Sequence, residues 1–468
     1  MSFKKRKVHD VREYKNLLDL FKFRLKTSSI INTLLIIVAT FFIVYFSGYA
    51  VQWTKTAVKQ IGVYSMKYMS EKVGEPLKED ALGQINVLII GYGGDNHQGG
   101  YLSDTIMLAS YSPKIGSVSF LSIPRDLYVK YPSGTTGRIN GLFANAYYTE
   151  KNLDKAAEML SKKVTEITGV PISYYSLIDF TGFKSLIDTV GGVEINVPQD
   201  LVDREYPNET GGYMTFSIKK GLQTLDGNTA LKYVRSRHST SDFSRAYRQQ
   251  LVIKALVNKL LSPENVASIS KLKEIYGTYN KMVYTNISIK NIIGMAQYLD
   301  NLKNFYSFVL TAECNSNSFK LMTSGCFLYY PDRAQFGGAS VILPQGAKAG
   351  NISYYKYIHD FAYIVIYNQD FLNENAEIRI LNGVDRKISK KAHASDLAVT
   401  LKNNGFNVTQ VENASQPQDK NVIYVNGTGS YENTISTLRM LFNIDEVLTG
   451  SNTYGDNITI VVGNNYVK

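Results

Sequence analysis

Four arginines and a glutamine near the middle of the chain have the types and spacing of an anion-binding cluster. Arg235 and Arg237 alternate with other residues, so an extended backbone would point both to the same face. If a helix begins a few residues later, Arg245, Arg248 and Gln249 share one side of it. Converging guanidinium groups repel one another unless an anion lies between them, and their planar shape matches phosphate oxygens. The pattern indicates a phosphate or diphosphate ligand; the alternative is a solvated charged turn.

An aspartate and a fifth arginine stand at the ends of two predicted strands, 105–111 and 118–123. Asp104 immediately precedes the first strand, and Arg125 follows the second. Mg²⁺ prefers oxygen ligands and usually shares them with substrate phosphates. Asp104 is therefore predicted to hold Mg²⁺, or alternatively to accept a hydrogen bond in a turn. Arg125 either binds the phosphate at this strand end or forms a local ion pair with Asp126.

A glycine-rich turn follows the first predicted strand, 85–90. Its sequence, Gly-Tyr-Gly-Gly at 91–94, would let the backbone approach an oxyanion, and a plain loop is the alternative. His97 and His238 are the histidines near these motifs, and each is interpreted as a hydrogen-bonding neighbour rather than as a base. The chain has neither a Gly-Lys-Ser/Thr phosphate loop nor a His-Glu-x-x-His zinc motif.

The N-terminal residues predict a membrane anchor. Residues 1–29 carry nine Lys and Arg against three acids, and residues 27–54 contain no Asp, Glu, Lys or Arg. An apolar run of about 20 residues matches the bilayer core, and the basic block before it should stay cytoplasmic. A cleaved signal peptide is the alternative. We expect a basic cytoplasmic tail at 1–29, a transmembrane helix at 30–50, a juxtamembrane stalk at 51–82, and an extracellular remainder.

The net charge indicates the class of partner, and the two cysteines bear on whether the chain contains a disulfide or a thiol metal site. The formal net charge is +11, of which the N-terminal tail supplies +6. A mild positive excess outside a membrane suits anionic lipid head groups or wall polymers and gives no argument for nucleic acid. Cys314 and Cys326 are the two cysteines of the chain. In an oxidising compartment they could form a disulfide or stay free, and two thiols alone do not make a metal site.

Strands alternating with helices predict an α/β fold with a mixed central sheet flanked by helices, over 83–370. A small C-terminal α/β domain is predicted at 376–468, where the lack of clustered carboxylates, His or Cys favours a binding or spacing role. The stretch 264–370 carries no recognisable chemical motif. Further predicted strands are 172–178, 193–197, 377–381, 406–411, 422–425 and 458–462; predicted helices are 153–168, 180–190, about 245–261 and 395–403.

Eight short motifs follow one another in order between about residues 85 and 260. They are Asn-Val-Leu-Ile-Ile-Gly at 86–91, Leu-Ser-Asp-Thr-Ile-Met at 102–107, Leu-Ser-Ile-Pro-Arg-Asp at 121–126, Asp-Phe-x-Gly-Phe at 179–183, Val-Gly-Gly-Val at 190–193, Gly-x-x-x-Leu-Asp-Gly at 221–227, Tyr-x-Arg-x-Arg-His at 233–238 and Arg-Gln-Gln at 248–250. This series resembles the LytR-CpsA-Psr family of membrane-anchored bacterial cell-wall proteins. The unit from 376 onward is similar to the small C-terminal domain often attached to that family.

The resemblance implies a Mg²⁺-dependent phosphotransferase. Such an enzyme takes a glycopolymer from an undecaprenyl-diphosphate carrier and attaches it through a phosphodiester to peptidoglycan. A polyprenyl tail would occupy an apolar channel in the core. By motif, Asp104 corresponds to the metal-binding aspartate, and the phosphate-binding positions are Arg125, Arg235, Arg237 and Gln249 or Gln250.

Two positions depart from the family pattern. Leu102 stands where the family often has an arginine, two residues before the metal-binding aspartate, so that Arg245 or Arg248 would have to supply the missing phosphate contact. The family's earlier aspartate is also absent from its common place, and Asp95 is the nearest candidate for a second metal ligand. Both departures bear on metal geometry and rate more than on the class of ligand.

Three functions remain open from the sequence. The first is the glycopolymer–peptidoglycan transferase, and the second is a polyprenyl-diphosphate phosphohydrolase in which water attacks the same phosphorus. The third is a non-catalytic lipid- or wall-binding protein, which the substitution at Leu102 would allow. A transcription factor is excluded by the predicted topology and by the absence of a recognisable DNA-reading helix.

Overall fold

The computed structural model describes residues 71–467 with gaps. The predicted cytoplasmic tail, the membrane helix, most of the stalk, His238 and Cys314 lie outside the described residues. Within the described part, no helix is both long and apolar enough to cross a membrane. The residues left out of this range are 96, 209–211, 238–241, 261, 263–264, 266–268, 296, 299–301, 314–322, 392, 427–430, 443, 445 and 451–456.

Strands and helices alternate along most of the described chain. The strands are β1 (Ile85–Tyr92), β2 (Ser103–Ser112), β3 (Ser117–Ser122), β4 (Tyr128–Lys130), β5 (Thr136–Arg138), β6 (Tyr174–Asp179), β7 (Val193–Val197), β8 (Leu201–Pro207), β9 (Tyr213–Ile218), β10 (Gly221–Leu225), β11 (Val283–Thr285), β12 (Asn304–Leu310), β13 (Thr323–Gly325), β14 (Leu328–Tyr329), β15 (Leu343–Pro344), β16 (Ile378–Asn382), β17 (Val408–Asn413), β18 (Val422–Val425), β19 (Glu446–Thr449) and β20 (Ile458–Val462). The helices are α1 (Ile139–Glu150), α2 (Leu153–Thr168), α3 (Phe180–Thr189), α4 (Gly227–Arg235), α5 (Asp242–Leu260), α6 (Ile269–Met282), α7 (Ile289–Gly294), α8 (Lys356–Tyr367), α9 (Phe371–Glu374), α10 (His393–Asn403) and α11 (Glu432–Phe442).

Seven strands form the central sheet in the order β11-β6-β1-β2-β3-β12-β13. β1 is antiparallel to β2 and parallel to β6, while β3 is antiparallel to β2 and parallel to β12. Helices pack on the sheet, so the prediction of a mixed central sheet flanked by helices is confirmed. β11, β12 and β13 lie within residues 264–370, where no chemical motif is recognisable.

Local sequence explains the best-predicted helix, α2, which has the predicted bounds. The side chain of Asn152 accepts a hydrogen bond from the Lys155 amide at 3.1 Å and caps the N-terminus. Ala157, Leu160 and Val164 recur at helical spacing and are fully buried. Gly169 ends the helix at φ 74°, in the left-handed region that favours glycine.

The position at which α4 ends corrects the expectation that Arg235 and Arg237 lie on one extended segment. The backbone is helical up to Arg235 and becomes extended only at Ser236, so Arg235 and Arg237 do not share the face of an extended segment. The helix forms because the Asp226 carboxylate caps it by accepting from the Thr229 amide at 2.7 Å. Its residues Ala230, Leu231 and Val234 are buried at helical spacing.

The C-terminal unit contains a five-stranded sheet in the order β17-β16-β20-β18-β19, with α10 packed on β16 and β17 and α11 packed against α9. α11 and β19 have no counterpart among the predicted elements. The hydrophobic core of the C-terminal unit is continuous with the core under the central sheet. At this junction, the rings of Phe371 and Phe406 stack with centroids 4.4 Å apart. The carboxylate of Glu374 accepts the backbone amides of Asn433 at 3.0 Å and Thr434 at 2.8 Å, at the start of α11.

Cys326 is fully buried and its sulfur is part of a disulfide. This agrees with the oxidised alternative for the two cysteines, although the predicted partner Cys314 lies outside the described residues. The bridge lies next to β13, the edge strand of the central sheet that follows the gap at 314–322.

Candidate functional site

Five strands of the central sheet (β1, β3, β6, β12 and β13) end, and two (β2 and β11) begin, at the same edge. Tyr92 at the end of β1 pairs with Ser103 at the start of β2 and with Asp179 at the end of β6. Ser122 at the end of β3 pairs with Val309 near the end of β12. We call this the carboxyl edge, which consists of the segments 93–104, 122–126, 179–180 and 310–313. Ligands of open α/β sheets commonly bind at such an edge.

Asp104 and Arg125 form an ion pair at the centre of the carboxyl edge. The Arg125 guanidinium donates from Nη1 to the Asp104 carboxylate, with side-chain exposures of 17% and 32%. Arg125 Nε lies 3.8 Å from Asp126 Oδ2, and Asp126 Oδ1 lies 3.3 Å from Arg138 Nε. The nearer partner of Arg125 is therefore Asp104 from the neighbouring strand, and Asp126 also faces Arg138.

A pocket at the carboxyl edge brings together four of the predicted site residues. Helix α5 contributes Arg245 and Gln249, which are one turn apart and so share a face. Asp104 and Arg125 line the opposite, strand side. The expectation that these side chains are neighbours agrees with the structure, because α5 begins before Arg245 and packs against β12.

Arg235 is at the C-terminal end of α4 and is not among the residues that line the pocket. Its guanidinium carbon is 4.2 Å from the centre of the Phe180 ring, at the start of α3. Nη1 donates to the Tyr206 hydroxyl at 3.3 Å, and Nη2 lies 3.1 Å from Nε2 of His97. Arg237, by contrast, is exposed, and its backbone amide donates to Asp203 Oδ2 at 2.9 Å.

Arg248 and Gln250, both predicted to bind the diphosphate, are directed to the backbone of other elements. Arg248 is 4% exposed and donates from Nε to the Tyr233 carbonyl at 2.8 Å and from Nη2 to the Ser236 carbonyl. Burial, with Arg245 nearby, lowers the pKa of Arg248 to about 10. Gln250 Nε2 donates to Ser122 Oγ at 2.8 Å and to the Phe308 carbonyl at 2.9 Å.

These contacts give Arg248 and Gln250 a positioning role. Arg248 holds the last turn of α4, from which Arg235 extends, and Gln250 fixes α5 against β3 and β12. Sequence spacing identified Arg248 and Gln250 as candidates but did not predict the direction of their side chains. That direction depends on the rotation of the helix, which decides which side chains face the core.

The backbone amides of the glycine-rich loop were expected to bind an anion, but they form hydrogen bonds within the loop instead. The amides of Gly93 and Gly94 donate to the Gly100 carbonyl, each at 3.1 Å, and the Gly100 amide donates to the His97 carbonyl at 2.8 Å. These groups are used within the loop. A Cβ on Gly93 would lie 2.7 Å from Nδ1 of His97, so glycine there makes room for the imidazole ring.

Oxygen ligands for Mg²⁺ are sparse among the described residues. No group of three or more His, Cys, Asp or Glu side chains in this part of the chain could hold a metal ion. Asp95, the second predicted ligand, is exposed and accepts from the Tyr101 hydroxyl at 2.7 Å. Of the two predicted ligands, Asp104 alone lines the pocket, which also contains the carboxylate of Glu313. A single carboxylate fits Mg²⁺ when substrate phosphates and water complete its coordination.

Three polar residues that line the pocket, Thr311, Glu313 and Tyr330, were not predicted as site residues. The first two directly follow β12, and the Glu313 amide donates to Thr311 Oγ1 at 2.9 Å. The signal was present, because an apolar run of strand length at 305–310 is followed by polar residues, as β3 is followed by Arg125.

Comparisons with known proteins agree with the motifs. The model of the LytR-CpsA-Psr family matches residues 46–335, and a model described as the LytR cell envelope-related transcriptional attenuator matches residues 375–466. The polyisoprenyl-teichoic acid–peptidoglycan teichoic acid transferase TagT of Bacillus subtilis is 31% identical over 209 residues, which cover 45% of this chain and 61% of TagT. The corresponding transferase TagV of B. subtilis is 33% identical over 197 residues, covering 42% of this chain and 47% of TagV.

Further similar proteins include a regulatory protein and two solved structures. The regulatory protein MsrR of Staphylococcus aureus is 30% identical over 250 residues, covering 53% of this chain and 67% of MsrR. A structure of TagT bound to LIIa-WTA has a TM-score of 0.44 at 24% identity and covers 62% of this chain and 92% of that chain. The structure of B. subtilis TagV has a TM-score of 0.43 at 23% identity, with coverages of 61% and 98%.

Proposed function

Because the chain belongs to the LytR-CpsA-Psr family, we propose that it is a phosphotransferase that moves a glycopolymer from an undecaprenyl-diphosphate carrier to peptidoglycan. The observation that carries this proposal is the pocket at the carboxyl edge, where Asp104, Arg125, Arg245 and Gln249 meet. Two of the similar proteins are named as transferases of teichoic acid to peptidoglycan, and each alignment covers less than two thirds of the relative.

The pocket residues match the needs of a diphosphate. Arg125 and Arg245 present two guanidinium groups, and Gln249 adds an amide donor. Fixed donors of this kind orient the diphosphate and stabilise the charge that develops on the leaving phosphate. Arg237, which is exposed, would contact substrate farther from the pocket.

Attack by an acceptor hydroxyl completes the proposed reaction. A hydroxyl of peptidoglycan attacks the phosphorus atom that carries the glycopolymer and forms a new P–O bond. The P–O bond that links the two phosphates breaks, and polyprenyl phosphate leaves with its electron pair. We assign Glu313, which lines the pocket, to accept the proton of the hydroxyl.

Mg²⁺ fits this site through Asp104. When bound, the ion would neutralise part of the diphosphate charge. Asp104 would hold the ion, and Arg125 would bind a phosphate oxygen. Binding of Mn²⁺ as a spectroscopic substitute in the presence of farnesyl diphosphate tests this assignment without turnover. The electron paramagnetic resonance signal of bound Mn²⁺ should be lost in Asp104→Asn.

Membrane anchoring belongs to the same proposal. The basic N-terminal segment and the apolar run after it favour a single span with the N-terminus in the cytoplasm. The described residues would then lie on the extracellular side, at the membrane surface and within reach of both the lipid carrier and peptidoglycan. A disulfide at Cys326 agrees with an oxidising compartment.

A reconstituted reaction tests the function. The full-length chain in detergent is incubated with a polyprenyl-diphosphate oligosaccharide and Mg²⁺, with and without peptidoglycan fragments. Polyprenyl phosphate should appear only with the acceptor, and the oligosaccharide should become linked to the acceptor through a phosphodiester. Equal release without an acceptor would indicate a phosphohydrolase, and binding without any release would indicate a non-catalytic binding protein.

A further inference from the structure

The loop between β1 and β2 holds one imidazole ring against the carboxyl edge. The His97 and Phe180 rings form a T-shaped pair, with ring centres 4.8 Å apart and an interplanar angle of 79°. Gly93 and Gly99 flank it so closely that a Cβ would lie 2.7 Å and 3.1 Å from Nδ1. The ring is thus fixed in position by its own loop and by the first residue of α3.

A backbone hydrogen bond determines which ring nitrogen carries the proton. The amide of Gly99 donates to Nδ1 of His97 at 3.0 Å. Nδ1 must therefore present a lone pair, and in a neutral imidazole the proton then resides on Nε2. A doubly protonated ring has no lone pair on Nδ1, so the hydrogen bond from Gly99 also requires the neutral imidazole.

This tautomer places two donors opposite each other. Nε2 of His97 is 3.1 Å from Nη2 of Arg235, and a guanidinium nitrogen can only donate. With its proton on Nε2, the ring has no lone pair to offer to Arg235. Two N–H groups that face one another at this distance are satisfied together when a single anionic oxygen accepts from both.

We propose that His97 is a substrate-binding residue whose Nε2–H and the Arg235 guanidinium jointly bind one oxygen of the diphosphate. The inference rests on the proposed function, because it assigns a donor to the same ligand. It also excludes His97 as the general base, since Nε2 carries a proton and Nδ1 is occupied by the Gly99 amide. A neutral donor strengthens anion binding here without adding a further positive charge beside Arg235.

Binding of farnesyl diphosphate to the full-length chain in detergent tests this role by calorimetry. His97→Ala removes the donor and should weaken binding about tenfold or more, as expected for a hydrogen bond to a charged group. His97→Gln, whose amide nitrogen can occupy a position near Nε2, should stay within about threefold of the unsubstituted protein. The matched control is His359→Ala on α8, where His359 Nε2 lies 2.9 Å from the Glu166 carbonyl, and it should not change the affinity.

Equal affinities for His97→Ala and the unsubstituted chain would overturn the inference and leave the proposed function standing. Absence of diphosphate binding by the unsubstituted chain would overturn both. Nitrogen-15 spectra of the histidine-labelled protein give a second readout that does not depend on turnover. The resonances that disappear in His97→Gln should show a protonated Nε2 and an unprotonated Nδ1, and the opposite tautomer would contradict the inference.

Discussion

The two mixed sheets of this chain end in chemically different edges. At the carboxyl edge of the central sheet, Arg125 is 17% exposed and faces Asp104, so that charge is concentrated where water is partly excluded. After β16 in the C-terminal unit, the loop 383–391 carries Arg386 and Lys387, but both are exposed. Its backbone is held by the Gly383 amide, which donates to the Val462 carbonyl at 2.8 Å. A mixed sheet therefore does not by itself imply a site; partial burial of paired charges distinguishes the two edges.

The largest expected effect is on the transfer rate, and it distinguishes an arginine at the carboxyl edge from one in the loop 383–391. Arg125→Ala should lower the transfer rate by about 100-fold or more, because it removes a preorganised donor to the leaving phosphate. The matched substitution Arg386→Ala, at the other edge, should leave the rate within about twofold. Both are measured as initial rates of polyprenyl phosphate release in the presence of acceptor. Equal losses in the two variants would remove the distinction between the edges.

A second comparison contrasts two arginines that are close in sequence. Arg248→Met should lower the free energy of unfolding by about 3 kcal/mol, because the carbonyls of Tyr233 and Ser236 lose a buried charged donor. Arg235→Met should lower it by less than about 1 kcal/mol, since Arg235 packs on ring faces at the site. Urea denaturation gives these energies. If Arg248→Met retains full stability, its assigned positioning role is wrong.

Glu374 joins the C-terminal unit to the rest of the chain and provides a smaller effect. Glu374→Gln should destabilise the start of α11 by about 1 kcal/mol, because a neutral amide accepts more weakly from the amides of Asn433 and Thr434. Hydrogen exchange of these amides should become faster. The affinity for farnesyl diphosphate should remain unchanged, and a weakened affinity would mean that the C-terminal unit takes part in the site.

The smallest expected effect is a gain. Leu102 is 38% exposed and lies two residues before Asp104. Leu102→Arg adds a partly exposed cation at the carboxyl edge and should tighten farnesyl diphosphate binding about threefold, as expected for a solvent-screened charge. Leu102→Gln is the control for loss of the apolar side chain. Weaker binding by the arginine variant than by the glutamine variant would contradict a diphosphate at this position.

The sequence predicted those parts of the fold in which local signals and burial agree. Residues 153–168 have a cap, an apolar period and a terminal glycine, and the helix has those bounds. Asp104 and Arg125 were placed correctly at strand ends, because strand boundaries follow from apolar runs. The helical end at Arg235 was missed, since tertiary packing of α4 determines where the backbone becomes extended.

The direction of the side chains could not be predicted from the sequence. Nothing in the spacing of Arg245, Arg248 and Gln250 shows that the first lines the pocket and the other two donate to buried carbonyls. That choice depends on the rotation of α5 against β12, which is a long-range contact. Likewise, His97 and Arg235 are 138 positions apart in the sequence, so no short motif contains both residues.

A crystal structure of the full-length chain with farnesyl diphosphate and Mg²⁺ would show directly whether the diphosphate binds at the carboxyl edge. We expect diphosphate density there, with phosphate oxygens within hydrogen-bonding distance of Arg125 and Arg235 and the metal ion on Asp104. Diphosphate bound elsewhere, for example at the loop 383–391 of the C-terminal unit, with the Asp104–Arg125 pair undisturbed, would contradict it.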